Sequence, residues 1–475
     1  MGEYLLLLLI LLPLAGALFV LTIQDDKHES IHNIHNVAVW ILAATLLTTL
    51  YTFSLVDTEK TGIQLVEKYN WLEFPPVVIL LGADVFSLLL LFGVGLSFFI
   101  SEICLVRRDI QRPKALIASE LLFLGLLNGY FLAADIVSFY IFFAAVSMPL
   151  IVLISIYSSR HRKNMIIRLN LYHTIGALLL FIAVITIYTL KESNIPLNTA
   201  GNLNLTGKTE YFVWLAIFFA FISRMPIWPF HYWLTAINSS IRNPMVFVVG
   251  NLISLVGLYG FMRFWPNTVP QTIAVYAPIF EVISAVTMIF IALIGLSQKD
   301  FRYKLFSYTT VYYLLYLIGV FLPTSALKMN IGYSLFAYLI IITVLSFLIS
   351  HIEQQKKQLN LKGGGVLCYL PRTSVYLSLF VLASIGLPIT PLFWNNFIII
   401  SEIFNHNLIL GIAVILALFL AALSFLEELY RLKDKSFSTD ECVIGKDLND
   451  FEILVYGSCL VILFFSFFRP LWFVF

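Results

Sequence analysis

Charge is scarce in this chain. Only 12% of its 475 residues are Asp, Glu, Lys or Arg, against 60% hydrophobic residues and a mean hydropathy of +0.92. A soluble domain carries about twice that charge, which excludes a water-soluble enzyme. Cysteine is equally sparse: Cys104, Cys368, Cys442 and Cys459 stand far apart with no CxxC pair. That excludes a disulfide framework or an iron–sulfur ligand set. No GxGxxG fingerprint occurs, so redox chemistry is not expected within the chain. A basic n-region is also missing, since Gly2 and Glu3 precede the first apolar run, "LLLLLILLPLAGALFVL". The run is long enough to span, and it reads as a first span rather than a signal peptide. No transit peptide is visible, and with 42 Phe the body suits a protein made inside the organelle or cell whose membrane it enters.

What the chain does have is long apolar runs. Many reach the roughly 20 residues that cross about 30 Å of hydrocarbon. They predict an all-α polytopic membrane protein of about 14 transmembrane helices, beginning near residues 4, 35, 80, 113, 133, 166, 210, 245, 276, 303, 332, 373, 407 and 452. The runs at 113 and 133 are separated only by "AAD". Basic residues test the count. Loops after odd-numbered spans hold 21 of the 29 Lys and Arg, from Lys27 through Arg107, Arg108, Arg160, Lys299, Lys304 and Lys356 to Lys446. The opposite loops and the C-terminus hold seven: Lys60, Lys68, Lys191, Lys208, Arg263, Lys328 and Arg469. The positive-inside rule places the richer face on the cytoplasmic or matrix side and both termini on the other. These loops are topology signals, and the net charge of +2 gives no reason to expect nucleic acid.

Two spans look broken. In "AFISRMPIWPFHYWL" (220–234) Pro226 and Pro229 follow Arg224, and "SIGLPITPLFWNNF" (384–397) carries Gly386, Pro388 and Pro391. Proline removes an N–H and clashes with the carbonyl four residues back. Irregular backbone at membrane depth survives only where protein buries it or water reaches it. Paired interrupted helices point to an ion or substrate path.

At these residues the sequence resembles subunit 4 of mitochondrial NADH dehydrogenase (respiratory complex I), an antiporter-like subunit. The family's "K-x-P-x-x-P-x-H-x-W-L-P" is matched by Arg224, Pro226, Pro229, His231, Trp233 and Leu234, with Thr235 in place of the last proline. "LVGLYGFMRF" (255–264) is similar to "K-L-G-G-Y-G-x-x-R-F", and "DIVSFYIFFAAVSMPLIVLI" (135–154) to "DLLLFYxFFExxLIPxxLLI". "LGADVFSLLLL" (81–91), "GLPITPLFWNNF" (386–397) and "DLNDFEILVYGSCLVILFFSFFRP" (447–470) also resemble family segments, in the family's order. "TGIQLVEKYNWLEF" (61–74) favours subunit 4 over its paralogues.

The resemblance implies one membrane domain over 1–475, with two inverted five-helix repeats and discontinuous seventh and twelfth helices. Its parts would be the first three spans (1–106), the first repeat (113–240), the eighth span and second repeat region (245–402) and the last two spans (407–475). It implies a subunit of an H+-translocating NADH:ubiquinone reductase of the respiratory chain, multi-pass in the mitochondrial inner membrane with both termini toward the intermembrane space. The antiporter-like paralogues (subunits 2 and 5), accessory subunits and lipids such as cardiolipin would be its partners. FMN, iron–sulfur clusters and ubiquinone would lie elsewhere in the complex, with no cofactor, metal or catalytic group in this chain. The alternative is a subunit of a multi-subunit cation/proton antiporter.

The family's row of exchangeable side chains is substituted here. The glutamate of "FFE" falls on Ala144 and the seventh-helix lysine on Arg224. The lysine before "LGGYG" falls on Leu255, a histidine falls near Tyr313, and the twelfth-helix glutamate falls on Asn396. Burial brings a lysine into the range where it exchanges protons near neutrality, whereas a guanidinium, starting at about 13.8, stays charged. Arg224 is therefore expected to clamp the broken helix, with Glu120 or carbonyls freed by Pro226 and Pro229 as partners. Glu120, Arg224, His231 and Lys304 are the candidates for a proton path. A pumping subunit using substituted groups and a structural spacer with a lost path both remain open. Asp84 and Asp135 read as structural residues at span ends, Lys299, Asp300 and Lys304 as a basic loop, and Glu427, Glu428 and Arg431 as a solvated helix end.

Overall fold

The computed structural model describes residues 4–23, 28–58, 60, 62–72, 77–106, 108, 112–157, 162–191, 196–197, 208–231, 233, 242–268, 276–322, 327–358, 365–434 and 446–472. The helices in chain order are α1 (Leu5–Thr22), α2 (His28–Leu55), α3 (Val85–Leu105), α4 (Pro113–Leu132), α5 (Ile136–Ala145), α6 (Ser147–Tyr157), α7 (Arg162–Lys191) and α8 (Lys208–Ile222). They continue as α9 (Pro244–Thr268), α10 (Ala277–Ser297), α11 (Phe301–Phe321), α12 (Leu327–Gln358), α13 (Pro371–Ile385), α14 (Pro391–His406), α15 (Leu408–Lys433) and α16 (Asp450–Trp472). Among the described residues, eleven helices are long and apolar enough to cross a membrane, with α5 and α6 counted as one. The other expected spans coincide with α8, the α13–α14 pair and α16, which are not among the eleven.

The middle of the bundle is formed by α9, α11 and α12, whose apolar windows are wholly buried. Around them α1, α2, α7, α10 and α15 present outward apolar side chains such as Leu18, Leu47, Ile175, Val286 and Ile412. Helices that are apolar all round suit a hydrocarbon solvent. The α4–α5 connection is the short "AAD" turn, because Asp135 caps α5: its Oδ1 accepts from Ser138 N at 2.8 Å and its Oδ2 from Leu80 N at 2.8 Å. Asp84 caps α3 in the same way and pairs with Arg263 at 2.7 and 3.1 Å.

One feature departs from the all-helical expectation. Residues Leu65–Leu72 (β1) and Val77–Ala83 (β2) form an antiparallel hairpin before α3. Its Glu67 accepts from the N–H groups of Tyr4, Leu6 and Leu7 at 3.2, 2.8 and 3.1 Å. The first turn of a helix has no intrahelical partners for these donors, and the carboxylate supplies them while favouring the positive end of the dipole.

The loop contacts fall into two sets. On one end of the bundle, β2 pairs with Ala133, Asp135 pairs with Pro196, and Arg263 meets Asp84. On the other, Arg431 Nη2 donates to the Lys299 carbonyl at 2.6 Å, and Arg372 Nη1 donates to Asp450 at 2.8 Å. Arg108 there donates to the Phe347 carbonyl and Ser350 Oγ, each at 3.3 Å. Each set joins connections of one parity, so consecutive spans alternate in direction.

Candidate ion path at the broken helices

Helix α8 stops at Ile222, four residues before Pro226, and Ser223–His231 is a run of turns with Trp228–Pro229 cis. Chain packing is close here: a Cβ added at Gly257 of α9 would stand 2.8 Å from the Phe221 carbonyl and 3.0 Å from Arg224 Cβ. Glycine at 257 lets the irregular backbone lie against α9.

Arg224 is fully buried. Its Nη2 donates to the Phe143 carbonyl at 3.0 Å, and its guanidinium carbon lies 4.5 Å from the centroid of the Phe143 ring. The acceptor exists because the fifth span is itself interrupted: α5 ends at Ala145 and α6 begins at Ser147, around Val146. Pro149 cannot donate to the carbonyl four residues back, and a helix end leaves its last carbonyls without intrahelical partners. The expectation for Arg224's partner is thereby corrected. Neither Glu120 nor a carbonyl freed by Pro226 and Pro229 meets it; the acceptor comes from the facing break in the fifth span. Ala144, expected from the resemblance to stand at a glutamate position, is adjacent to the accepting carbonyl of Phe143, and its own carbonyl accepts from Ser147 Oγ at 3.0 Å.

The twelfth span divides at Gly386, which closes α13 at φ +97°, a left-handed value that favours glycine. Pro388 lies in the turn, and Pro391 opens α14 at its first position, where its missing N–H costs nothing. A cavity of about 200 Å³ opens at this break, lined by Tyr308, Tyr312, Gly386, Phe393 and Asn396. Tyr308 and Tyr312 donate to the Ser384 carbonyl at 2.5 and 3.0 Å, satisfying an acceptor at the end of α13. Asn396 accepts from Ser334 Oγ at 3.1 Å, while Tyr313 packs edge-on against Tyr338 with ring centroids 5.4 Å apart. Leu255 is fully buried in α9. Among the described residues, the cavity at this break therefore presents the hydroxyls of Tyr308 and Tyr312 and the amide of Asn396.

The other candidates lie apart. Glu120 is buried in α4. His231 is half-buried at the end of the irregular segment, its ring 6.3 Å from Phe290. Lys304 is not in a loop: it sits in the first turn of α11, 1% exposed, with Nζ 3.0 Å from Glu427 and 3.4 Å from Glu428. Glu428 is equally buried and also binds Arg431 at 2.5 Å, so this helix end is only partly solvated. The amphiphilic end of α15 turns Glu428 inward and leaves Glu427 exposed, a distinction that spacing from the span end does not carry. The group borders a cavity of about 540 Å³ that also receives Arg242, Lys299 and Lys356. Sequence reasoning also passed over the pair of His35 and Glu102, on separate spans, and the acceptor at Phe143.

Interrupted helices bearing a buried charge within a polytopic bundle define a membrane protein of the transporter-like class. Residues 133–424 match the family described as NADH:quinone oxidoreductase/Mrp antiporter, transmembrane, and the chain belongs to that family. It is 24% identical over 465 residues to NADH-quinone oxidoreductase subunit M of Rickettsia bellii, covering 96% of this chain and 93% of that one. It is 27% identical over 465 residues to NADH-ubiquinone oxidoreductase chain 4 of Arabidopsis thaliana, covering 95% and 91%. Its fold is similar to a chain of respiratory complex I from Thermus thermophilus, with TM-score 0.85, 21% identity and coverage of 98% and 96%. A chain of the Mrp complex from Dietzia gives TM-score 0.81 at 15% identity, over 97% of this chain but 50% of that one.

Proposed function

We propose that this chain is a membrane-arm, antiporter-like subunit of an H+-translocating NADH:quinone oxidoreductase in the mitochondrial inner membrane, and that its own central proton path is impaired. The supporting observation is the pairing of Arg224 with a backbone carbonyl where a lysine and glutamate would exchange protons. A guanidinium bonded to an amide oxygen has no acid–base partner, and it holds its proton through any physiological cycle. Ala144, Leu255, Tyr313 and Asn396 complete the loss, leaving Glu120, His231 and Lys304 as the remaining candidates for a proton path.

In this reading the chain makes fourteen crossings, with inverted repeats over 113–240 and 245–402 and both termini toward the intermembrane space. The basic cavity then faces the matrix, where it suits the headgroup of an anionic lipid such as cardiolipin. The paralogous subunits 2 and 5 and accessory subunits cover its flanks, while FMN, iron–sulfur clusters and ubiquinone belong to other subunits. The second reading, a subunit of a cation/proton antiporter, is favoured by the Mrp likeness, but coverage of that chain stops at half its length. Affinity purification of the tagged chain decides between them. Copurifying flavin and iron–sulfur clusters support the first reading, and a flavin-free assembly refutes it. The proton-to-electron ratio in sealed liposomes then tests the impaired path: a ratio equal to that of a complex with every ionisable residue in place overturns it.

A further inference from the structure

The basic cavity of about 540 Å³ lies where the start of α11 meets the ends of α12 and α15, apart from both helix breaks. Buried Phe301, Ile349, Ile352 and Leu432 give it an apolar lining. Six cationic side chains also line it: Arg242, Lys299, Arg302, Lys356, Lys357 and Arg431. Asp300, Glu353 and Glu428 are the carboxylates among the lining residues, so the lining carries a surplus of three positive charges.

Those carboxylates are already engaged. Glu428 is 1% exposed and is held by Lys304, equally buried, at 3.4 Å and by Arg431 at 2.5 Å. Glu353 pairs with Arg302 at 2.5 Å. Asp300 caps α11, its Oδ1 accepting from Arg302 N at 3.2 Å. Arg431 is fixed through a single nitrogen, since Nη2 donates both to the Lys299 carbonyl at 2.6 Å and to Glu428. Its planar fork keeps the donors of Nε and Nη1 for another acceptor. Among the described residues, the ammonium groups of Lys299, Lys356 and Lys357 make no ion pair or hydrogen bond.

Charge and geometry then select a ligand class. Like charges gathered around one cavity repel, and an anion between them removes that cost. A carboxylate offers two oxygens, enough for one fork. A phosphate group offers about three in a tetrahedral arrangement, which serves an arginine fork and ammonium groups together. We infer that this cavity is a phosphate-binding site, in which Glu428 and the Lys299 carbonyl hold Arg431 ready while Lys299, Lys356 and Lys357 close on the anion. The phosphate is carried by a lipid headgroup or is a free ion. The side of the membrane from which it comes rests on the orientation proposed above, whereas the binding chemistry rests on the cavity. A bound phosphate ties the end of α12 to the end of α15 and the start of α11. Neither Arg224 nor the cavity at Gly386 takes part.

Two arms test the site in the purified complex, each comparing wild type with Lys299→Gln/Lys356→Gln. The control, Lys114→Gln/Lys163→Gln, removes the same charge from elsewhere on the chain. Equilibrium dialysis with radiolabelled inorganic phosphate, at an ionic strength fixed with chloride, reads the free ion. Wild type should bind one equivalent about tenfold more tightly than the site variant, and sulfate should displace it. In vesicles, a photoactivatable phosphatidylglycerol reads the headgroup. It should label the cavity peptides in wild type and the control but not in the site variant, and phosphatidylcholine should not label them. A response in either arm confined to the site variant supports the inference and identifies the source. If both arms treat the two variants alike, the cavity holds diffuse counterions or an acidic segment of a neighbour, and the inference is overturned. Should the site variant not assemble, acylation of wild-type lysines replaces it. Phosphate or anionic vesicles should shield Lys299 and Lys356, and equal reactivity in their presence and in neutral vesicles overturns the inference. None of these readouts involves NADH oxidation or proton movement, so the functional reading above stands or falls separately.

Discussion

Replacing Arg224 by methionine separates a strut from a relay. Methionine retains an unbranched chain of similar reach and removes the charge. The variant loses the hydrogen bond to Phe143, about 1.5–3 kcal/mol for a bond from a charged donor. It also loses the contact with the Phe143 ring, about 2 kcal/mol where water is excluded. Against this it recovers the roughly 2.5–3.5 kcal/mol that an arginine costs within the membrane. The net change is a destabilisation between about 0 and 2.5 kcal/mol. The complex should therefore assemble with a slightly lower thermal midpoint. In sealed liposomes it should oxidise NADH at the wild-type rate with an unchanged proton-to-electron ratio. A fully assembled Arg224→Met complex whose ratio falls would show that the guanidinium takes part in translocation and would refute the strut.

Three further outcomes follow from the geometry. Asp84→Asn leaves Arg263 buried without its carboxylate, a loss of about 3–5 kcal/mol for a broken buried pair, which should appear as reduced assembly on native gels. Glu67→Ala leaves the N–H groups of Tyr4, Leu6 and Leu7 without their acceptor at a cost of about 0.5–2 kcal/mol, and faster proteolysis near the N-terminus should report it. Asp447 is opposed by burial, but the Thr373 hydroxyl and the N–H groups of Leu448, Arg372 and Thr373 outweigh it and hold the carboxyl below the usual range. Its contribution is present above the unfolded carboxylate value of about 3.9 and disappears as pH falls through the lower folded value. Thermal scans should show Asp447→Asn less stable than wild type at neutral pH, with the gap closing below about pH 4.

The bundle was legible because its physics is local. Each apolar run announces itself, Gly386 and the proline pair at 226 and 229 mark backbone that cannot stay helical, and the basic residues report loop parity. Features made by distant residues were not legible. Pro149 stood in plain view inside the fifth span, yet a single proline does not say whether a helix bends or stops, nor that the Phe143 carbonyl beside the break would meet Arg224. Glu67 reads as one charge in a polar strand until the hairpin carries it to the start of α1. Lys304 and Glu428 each sit near a span end, where burial depends on helix rotation rather than on position along the chain. His35 and Glu102 are separated by 67 residues, and only packing of α2 on α3 brings them together.

The joint between Arg224 and Phe143 also constrains how this lineage can change. Lysine at 224 would be flexible and strongly hydrated, with no carboxylate at 144 to receive it. Glutamate at 144 would gain a permanently charged neighbour that never returns a proton. Each replacement alone leaves a charge without an exchanging partner, so building a proton-exchanging pair at this joint takes both changes together. The interruption of the fifth span supplies the acceptor for Arg224 from the backbone, which makes the joint independent of the side chain at 144.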